Sequence, residues 1–249
     1  MKILGVIPAR YASTRFPAKP LADIAGKTMI EWVYSQASKA ASLDQVVVAT
    51  DNQKIFDHVK AVGGKVVMTS EDHVSGTDRC AEALALAEGE YDYVINIQGD
   101  EPFIDPAQID LLTSLLDGKV ELATLVKKIT DPDVLHNPNL VKAIFNLHHE
   151  AIYFSRNALP HVRNTLPAQW LDKQDFYKHI GLYAYRTDVL NAITKLKPSS
   201  LEIAESLEQL RWIENGYKIK VAETDIETMG IDTPEDLERA VEQLKKTTP

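Results

Sequence analysis

Apolar positions fall into short blocks whose period changes along the chain. Ile3 to Pro8 is a continuous apolar run closed by proline, the pattern of a buried parallel strand. Thr28 to Ala40 follows with Ile30, Val33, Tyr34 and Ala37 at helical spacing. Gln45 to Thr50 is β-branched and reads as a strand, Asn52 to Val62 as a helix stopped by Gly63-Gly64, and Lys65 to Thr69 as a strand. Gly76 to Glu88 predicts a helix, Tyr91 to Gln98 a strand and Pro106 to Leu116 a helix. Strand-helix alternation of this kind implies an α/β fold, with a mostly parallel central sheet flanked by helices.

The middle of the chain changes character. Leu122 to Lys128, Val141 to Asn146, Ala151 to Ser155 and Gly181 to Arg186 read as strands without long helices between them. Asn157 to Asp175, with Pro160 and Pro167, reads as a loop or arm. Leu201 to Asn215 is expected to be one helix, with Ile203, Leu207, Leu210 and Ile213 on one side. Tyr217 to Ala222 is a further strand. Pro234 to Lys245 is a helix with Leu237, Ala240, Val241 and Leu244 in a stripe, Thr233 as its N-cap and Pro234 in its first position. The expected organisation is one α/β domain over 1–249, with a β-rich sub-domain or dimerisation arm over about 122–186.

Composition narrows the function. At 249 residues, 45% hydrophobic and 25% charged, the chain can bury a sizeable core. No apolar run approaches the roughly 20 residues that span a bilayer, and MKILGVIPAR turns basic too soon for a signal segment. A single cysteine, Cys80, forms no internal disulfide, so the cytoplasm is the expected compartment. A net charge of −9 argues against a nucleic-acid coat, which needs a broad basic face. It leaves room for small anionic ligands held by a local cluster of cations.

Such a cluster follows the first strand. Residues 8–20, PARYASTRFPAKP, hold Arg10, Arg15 and Lys19, three prolines and no acid. In an open α/β sheet, ligands bind beyond the carboxyl ends of the strands. Three cations there suit a triphosphate, although a solvated basic loop has the same composition. No G-x-G-x-x-G follows the strand, and Gly26-Lys27-Thr28 lacks the earlier glycine of a P-loop, since position 21 is Leu21. Asp100 follows the fourth strand through Gly99, where a carboxylate is either a turn residue or a hard-oxygen ligand for magnesium. Asp232 precedes the last helix, where the bland alternative is a helix-entry aspartate. Glu101 should point away from Asp100. Cys80 and His148-His149 lack zinc-ligand spacing and read as structural.

PARYASTRFPAKPL resembles the signature of sugar-acid cytidylyltransferases, R-x(4)-R-x-P-x-K-x-L, through Arg10, Arg15, Pro17, Lys19 and Leu21. The resemblance continues in order through VATDN, SGTDRCAEA, NIQGDEPFI, YFSRNALP, HIGLYAYR, LEIAESLEQLRWIENG and GIDTPEDLERA, covering almost the whole chain and pointing to the branch acting on 3-deoxy-D-manno-octulosonate (Kdo). It implies a Rossmann-like fold of the nucleotide-diphospho-sugar transferase type. It also implies transfer of CMP from CTP to the anomeric hydroxyl of Kdo for lipopolysaccharide biosynthesis, with Mg2+ as cofactor and a homodimer. By the same resemblance Asp100 and Asp232 would bind the metal, and Arg15, Lys19 and Asp100 would be catalytic. Ala9, Arg10, Arg15, Lys19, Ser75, Gly76, Arg79 and Gln98 would contact CTP, and Gln98, His179, Tyr183, Glu208 and Gln209 the sugar. Each has a plainer alternative: Arg79 could pair with Asp78 or Glu82, and His179 and Tyr183 could be ordinary residues of one strand face. Thr28 and Asp78 depart from the family pattern, and the stretch Asn164 to Asp175 is less recognisable.

Competing functions leave different marks. A glycosyltransferase of related fold predicts Asp-x-Asp at the fourth strand, where this chain has Asp100-Glu101-Pro102. A non-catalytic nucleotide-binding module has no need of two separated carboxylates. An enzyme for 8-amino-Kdo or a sialic acid would share the chemistry and differ only in the sugar.

Overall fold

The structure is a computed structural model that describes residues 1–12 and 16–247, with backbone alone over 243–247. Arg15 and the side chain of Leu244 therefore lie outside the described residues. The chain divides into two compact units, residues 1–110 with 228–249, and residues 111–227. The strands expected over 122–186 belong to the second.

In the first unit, β1 (Ile3–Ala9), β4 (Gln45–Thr50), β5 (Val66–Met68) and β6 (Tyr93–Asn96) form parallel pairs in the order β6-β1-β4-β5. Successive residues of β1, β4 and β6 are buried, so both faces of this sheet are covered. The helices α1 (Met29–Ala37), α2 (Gln53–Ala61) and α3 (Gly76–Leu86) pack against it. Each opens on a side-chain cap. Thr28 and Glu31 form a capping box for α1, Asn52 accepts from the Lys54 N–H for α2, and Ser75 accepts from the Asp78 N–H for α3. A two-stranded hairpin, β2 (Asp23–Ile24) and β3 (Lys27–Thr28), joins the basic loop to α1. α4 (Pro106–Thr113) follows β6.

The chain returns to this unit at residue 228 to form α9 (Pro234–Thr247). As the sequence predicts, Thr233 caps it. The Thr233 hydroxyl accepts from the Asp236 N–H at 3.2 Å, while the Asp236 carboxylate accepts from the N–H groups of Thr233 (2.9 Å) and Asp232 (3.0 Å). Ala240, with Leu237 and Val241, packs onto Ile24, Met29 and Ile231.

The second unit is mixed. β7 (Leu122–Lys128) pairs in parallel with β11 (Ile219–Glu223) and antiparallel with β10 (Tyr177–Arg186). β10 also pairs antiparallel with β8 (Lys142–Phe145), which pairs with β9 (Ala151–Ser155). Short helices α5 (Pro132–His136) and α6 (Thr187–Ile193) fill the connections.

Three expectations are corrected here. The helix expected over Leu201–Asn215 is two, α7 (Ser200–Glu205) and α8 (Gln209–Glu214), because Ser206 adopts a left-handed conformation at φ 52°. Ile203 is consequently 68% exposed, while Leu207 and Leu210 are buried. The strand expected over Gly181–Arg186 begins at Tyr177, and its register shifts between Ile180 and Tyr183. The arm over Asn157–Asp175 contains a 3-10 helix, Pro167–Asp172, anchored by buried Trp170 against Phe176 and Leu135.

Candidate active site

The carboxyl ends of β1 and β6 and the start of α9 supply one polar cleft of about 480 Å³ in the first unit. Its wall includes Ala9, Arg10, Lys19, Gly76, Arg79, Gln98, Asp100 and Asp232, eight of the residues singled out from sequence. Ser75 sits beside it as the cap of α3.

The turn carrying Asp100 is built on a close approach. A Cβ on Gly99 would lie 2.5 Å from the Pro8 carbonyl oxygen, so only glycine lets this turn press against the end of β1. The Asp100 carbonyl then accepts from the Ile231 N–H at 2.9 Å, joining the turn to the segment before α9. Lys19, in a single 3-10 turn over Lys19–Leu21, extends its ammonium between the two carboxylates. Nζ is 2.8 Å from Asp100 Oδ2 and 3.2 Å from Asp232 Oδ1. Both carboxyl groups thus converge on one cation, although 132 positions separate them in the chain (232 − 100). Asp232 is aimed by the cap of α9. Burial draws the Asp236 pKa upward, but the N–H of Asp232, Arg239 and Thr233 outweigh it and keep the carboxyl below its usual range.

Arg79 departs from both of its plain alternatives. It is fully buried and pairs with neither Asp78 nor Glu82. Its guanidinium donates to Asp51 Oδ2 at 2.7 Å, Thr69 Oγ1 at 2.6 Å and the Ser70 carbonyl at 3.2 Å, leaving Nε without a hydrogen-bond partner among the described residues. A buried arginine anchored on a carboxylate presents a donor at fixed position. Asp51 was missed as a site residue. It follows β4 as Asp100 follows β6, at the same edge of a parallel sheet, which is the signal that marks it.

The second unit gathers the other group. His179 and Tyr183 face each other with ring centroids 5.2 Å apart, and Trp212 meets Tyr183 edge-on at 5.2 Å. His179 is half-buried as a residue, and burial of its ring pushes its pKa down to about 3, so it is neutral at ordinary pH. Burial, then neighbouring Tyr185 and Glu208, raise the Tyr183 pKa well above its usual value, with Thr124 opposing. Gln209 is buried at the start of α8, and Glu208 occupies the position just before that helix. Thr124, unflagged from sequence, bonds to His179.

Among the described residues no group of three or more His, Cys, Asp or Glu converges as a metal cage. Nor is any helix among them long and apolar enough to cross a membrane.

Three cations and two aspartates around a cleft at the carboxyl edge of a parallel sheet have the composition that nucleotidyl transfer requires. The cytidylyltransferase family profile matches residues 4–219. A 3-deoxy-manno-octulosonate cytidylyltransferase of Bacteroides thetaiotaomicron is 58% identical over 249 residues, covering 98% of this chain and 99% of its own. The enzyme of the same name from Geobacter metallireducens is 45% identical, with 99% of each chain covered. The solved structure of a CMP:2-keto-3-deoxy-manno-octonic acid synthetase complexed with CTP superposes with a TM-score of 0.92, at 42% identity over 99% of each chain. A 4-diphosphocytidyl-2C-methyl-D-erythritol synthase from Anaerococcus prevotii, 15% identical with a TM-score of 0.63, shares the fold. The chain belongs to the cytidylyltransferase family, within its 3-deoxy-manno-octulosonate branch.

Proposed function

We propose that the cleft of the first unit holds CTP for an enzyme that transfers CMP to the anomeric hydroxyl of Kdo, giving CMP-Kdo and pyrophosphate for lipopolysaccharide biosynthesis. The observation that carries the placement is the Lys19 ammonium set between Asp100 and Asp232, in a wall that also holds Arg10, Arg79, Gly76 and Gln98. Cations and paired carboxylates in one cleft serve a polyphosphate and its counter-ion better than they serve a neutral ligand.

In the reaction, the anomeric oxygen of Kdo bonds to the α-phosphorus and the bond from that phosphorus to the β-bridging oxygen breaks. The hydroxyl proton passes to solvent and pyrophosphate departs. Such transfers depend on positioning and charge neutralisation. Arg10, Arg15 and Lys19 neutralise the triphosphate, and Lys19 and Arg15 meet the charge that grows on the leaving pyrophosphate. The first amides of α3, at Ser75 and Gly76, offer donors to the nucleotide. Arg79 enters already oriented, so no side-chain entropy is lost on binding.

The carboxylate pair fits magnesium. Both oxygens lie on one ammonium nitrogen, so they are at most 6.0 Å apart (2.8 + 3.2), and hard carboxylate oxygens are the ligands this ion prefers. Asp100 and Asp232 would hold it. When bound, magnesium supplies positive charge beside the α-phosphate and acidifies the attacking hydroxyl. Gln98, His179, Tyr183, Glu208 and Gln209 receive the sugar acid. The protein acts as a homodimer in the cytoplasm.

Pyrophosphate release from CTP, measured with Kdo and with 8-amino-Kdo and sialic acid, tests the assignment. Release with Kdo that stops in excess chelator is expected. Release that persists in chelator removes the metal role, and preference for another acid moves the enzyme to a sister substrate.

A further inference from the structure

Thr124 lies within β7, with no exposed surface. The register shift of β10 between Ile180 and Tyr183 turns two backbone carbonyls onto its hydroxyl. Oγ1 is 2.8 Å from the Leu182 carbonyl oxygen and 3.1 Å from that of Ile180. His179 Nε2 is a third neighbour at 3.1 Å. A hydroxyl has one proton and two lone pairs, and a carbonyl oxygen can only accept. The proton therefore goes to a carbonyl. If it went to His179 instead, two oxygens 2.8 Å apart would face each other with no hydrogen between them. Thr124 is left to His179 as an acceptor, so Nε2 must carry the imidazole proton.

We infer that Thr124 is a positioning residue that fixes His179 as the Nε2–H tautomer, leaving Nδ1 as a lone-pair acceptor for a hydroxyl of the sugar acid. This rests on the reading of His179 as a sugar contact. Among the described residues no partner occupies Nδ1, and it is absent from the fully buried unpaired atoms, so it keeps some accessible surface. Phe154 and Tyr183 pack against the ring, at 5.1 and 5.2 Å between centroids, and limit its rotation. Burial keeps the imidazole neutral, so His179 offers the substrate no positive charge. Its contribution to specificity is to recognise a donor on the sugar. The sugar's carboxylate must find its cation elsewhere.

Nitrogen-15 NMR of the histidine side chains in the 249-residue chain, with His179 assigned by its loss in His179→Gln, reads the tautomer directly. Wild type and Thr124→Ser, which keeps the hydroxyl, should show a protonated Nε2 and an unprotonated Nδ1. Thr124→Val should lose that preference and raise the KM for Kdo about tenfold, the worth of one neutral hydrogen bond, while leaving the KM for CTP unchanged. A protonated Nδ1 in the wild type overturns the assignment, whether or not the valine variant folds. A valine variant with the wild-type tautomer overturns the role of Thr124. A tautomer that shifts as expected while neither Thr124→Val nor His179→Gln moves the KM for Kdo removes His179 from the sugar site and with it the specificity claim.

Discussion

Replacing Gly99 by alanine adds one methyl group at the tightest point of the site. Its Cβ would stand 2.5 Å from the Pro8 carbonyl oxygen, whereas carbon and oxygen rest at roughly 3.2 Å or more. The gap must open by about 0.7 Å. The obstacle is backbone at the end of β1, held in register with β4, so the turn carrying Asp100 has to move. Displacement on that scale stretches the 2.8 Å contact of Asp100 with Lys19 beyond hydrogen-bond range, as well as the 2.9 Å bond from Ile231 to its carbonyl. Overpacking of this kind costs about 1–3 kcal/mol, or roughly 3–9 °C in Tm for a chain of this size. A carboxylate misplaced by nearly 1 Å lowers kcat on the order of 100-fold. Thermal unfolding and a coupled pyrophosphate assay measure both. Gly118→Ala is the control, since Gly118 has φ +83° but open space around it, and it should cost stability without touching turnover. A Gly99→Ala enzyme with kcat within twofold of wild type would refute the claim that this close approach sets the position of Asp100.

Other perturbations separate the parts of the site. Asp100→Asn and Asp232→Asn should each lower kcat at least about 100-fold while CTP binding by calorimetry survives; equal loss of both would indicate a simple binding site. Lys19→Met removes the ammonium that competes for the carboxylates, so the rise in Tm on adding magnesium should exceed that of wild type, and a smaller rise would contradict the shared position. Asp51→Ala strands the buried Arg79 guanidinium and should cost about 3 kcal/mol in urea unfolding; a loss below about 1 kcal/mol would show the pair to be slack. His179 binds its proton near 6.5 when unfolded and near 3 when folded, so the unfolded state takes up the extra proton between those values. Its contribution is complete above about pH 6.5 and is lost as pH falls toward 3. His179→Gln should therefore lose less stability than wild type between pH 7 and 4.5, and parallel acid curves would place the histidine in water.

Local physics made much of the first unit legible. Apolar runs gave β1, β4 and β6 to within two residues, and the Thr233-Pro234 start of α9 is where the cap chemistry put it. What failed depended on contacts distant in sequence or on single backbone angles. Nothing in LEIAESLEQLRWIE announces the left-handed Ser206 that splits the expected helix and leaves Ile203 in solvent. The spacing of four between His179 and Tyr183 suggests one face of a regular strand; it gives no sign of the shifted register that brings Leu182 and Ile180 carbonyls to Thr124. The cationic loop was visible as composition, but the meeting of Asp100 with Asp232 was legible only through family likeness, because spacing carries no information across 132 residues (232 − 100). Arg79 found Asp51 instead of its helix neighbours because the first turns of α3 bury its guanidinium beside the end of β4, where burial rewards a charge partner.

The first unit is assembled from two separated stretches of the polypeptide: residues 1–110 wait for 228 onward to complete it. On the ribosome, a chain that has emerged as far as Gln98 and Asp100 already owns its arginines and its first carboxylate, yet lacks Ile231, Asp232 and the helix whose cap aims them. Nascent fragments ending before that point are left with half a cation cradle and no turnover, so competence waits for residue 232 to emerge.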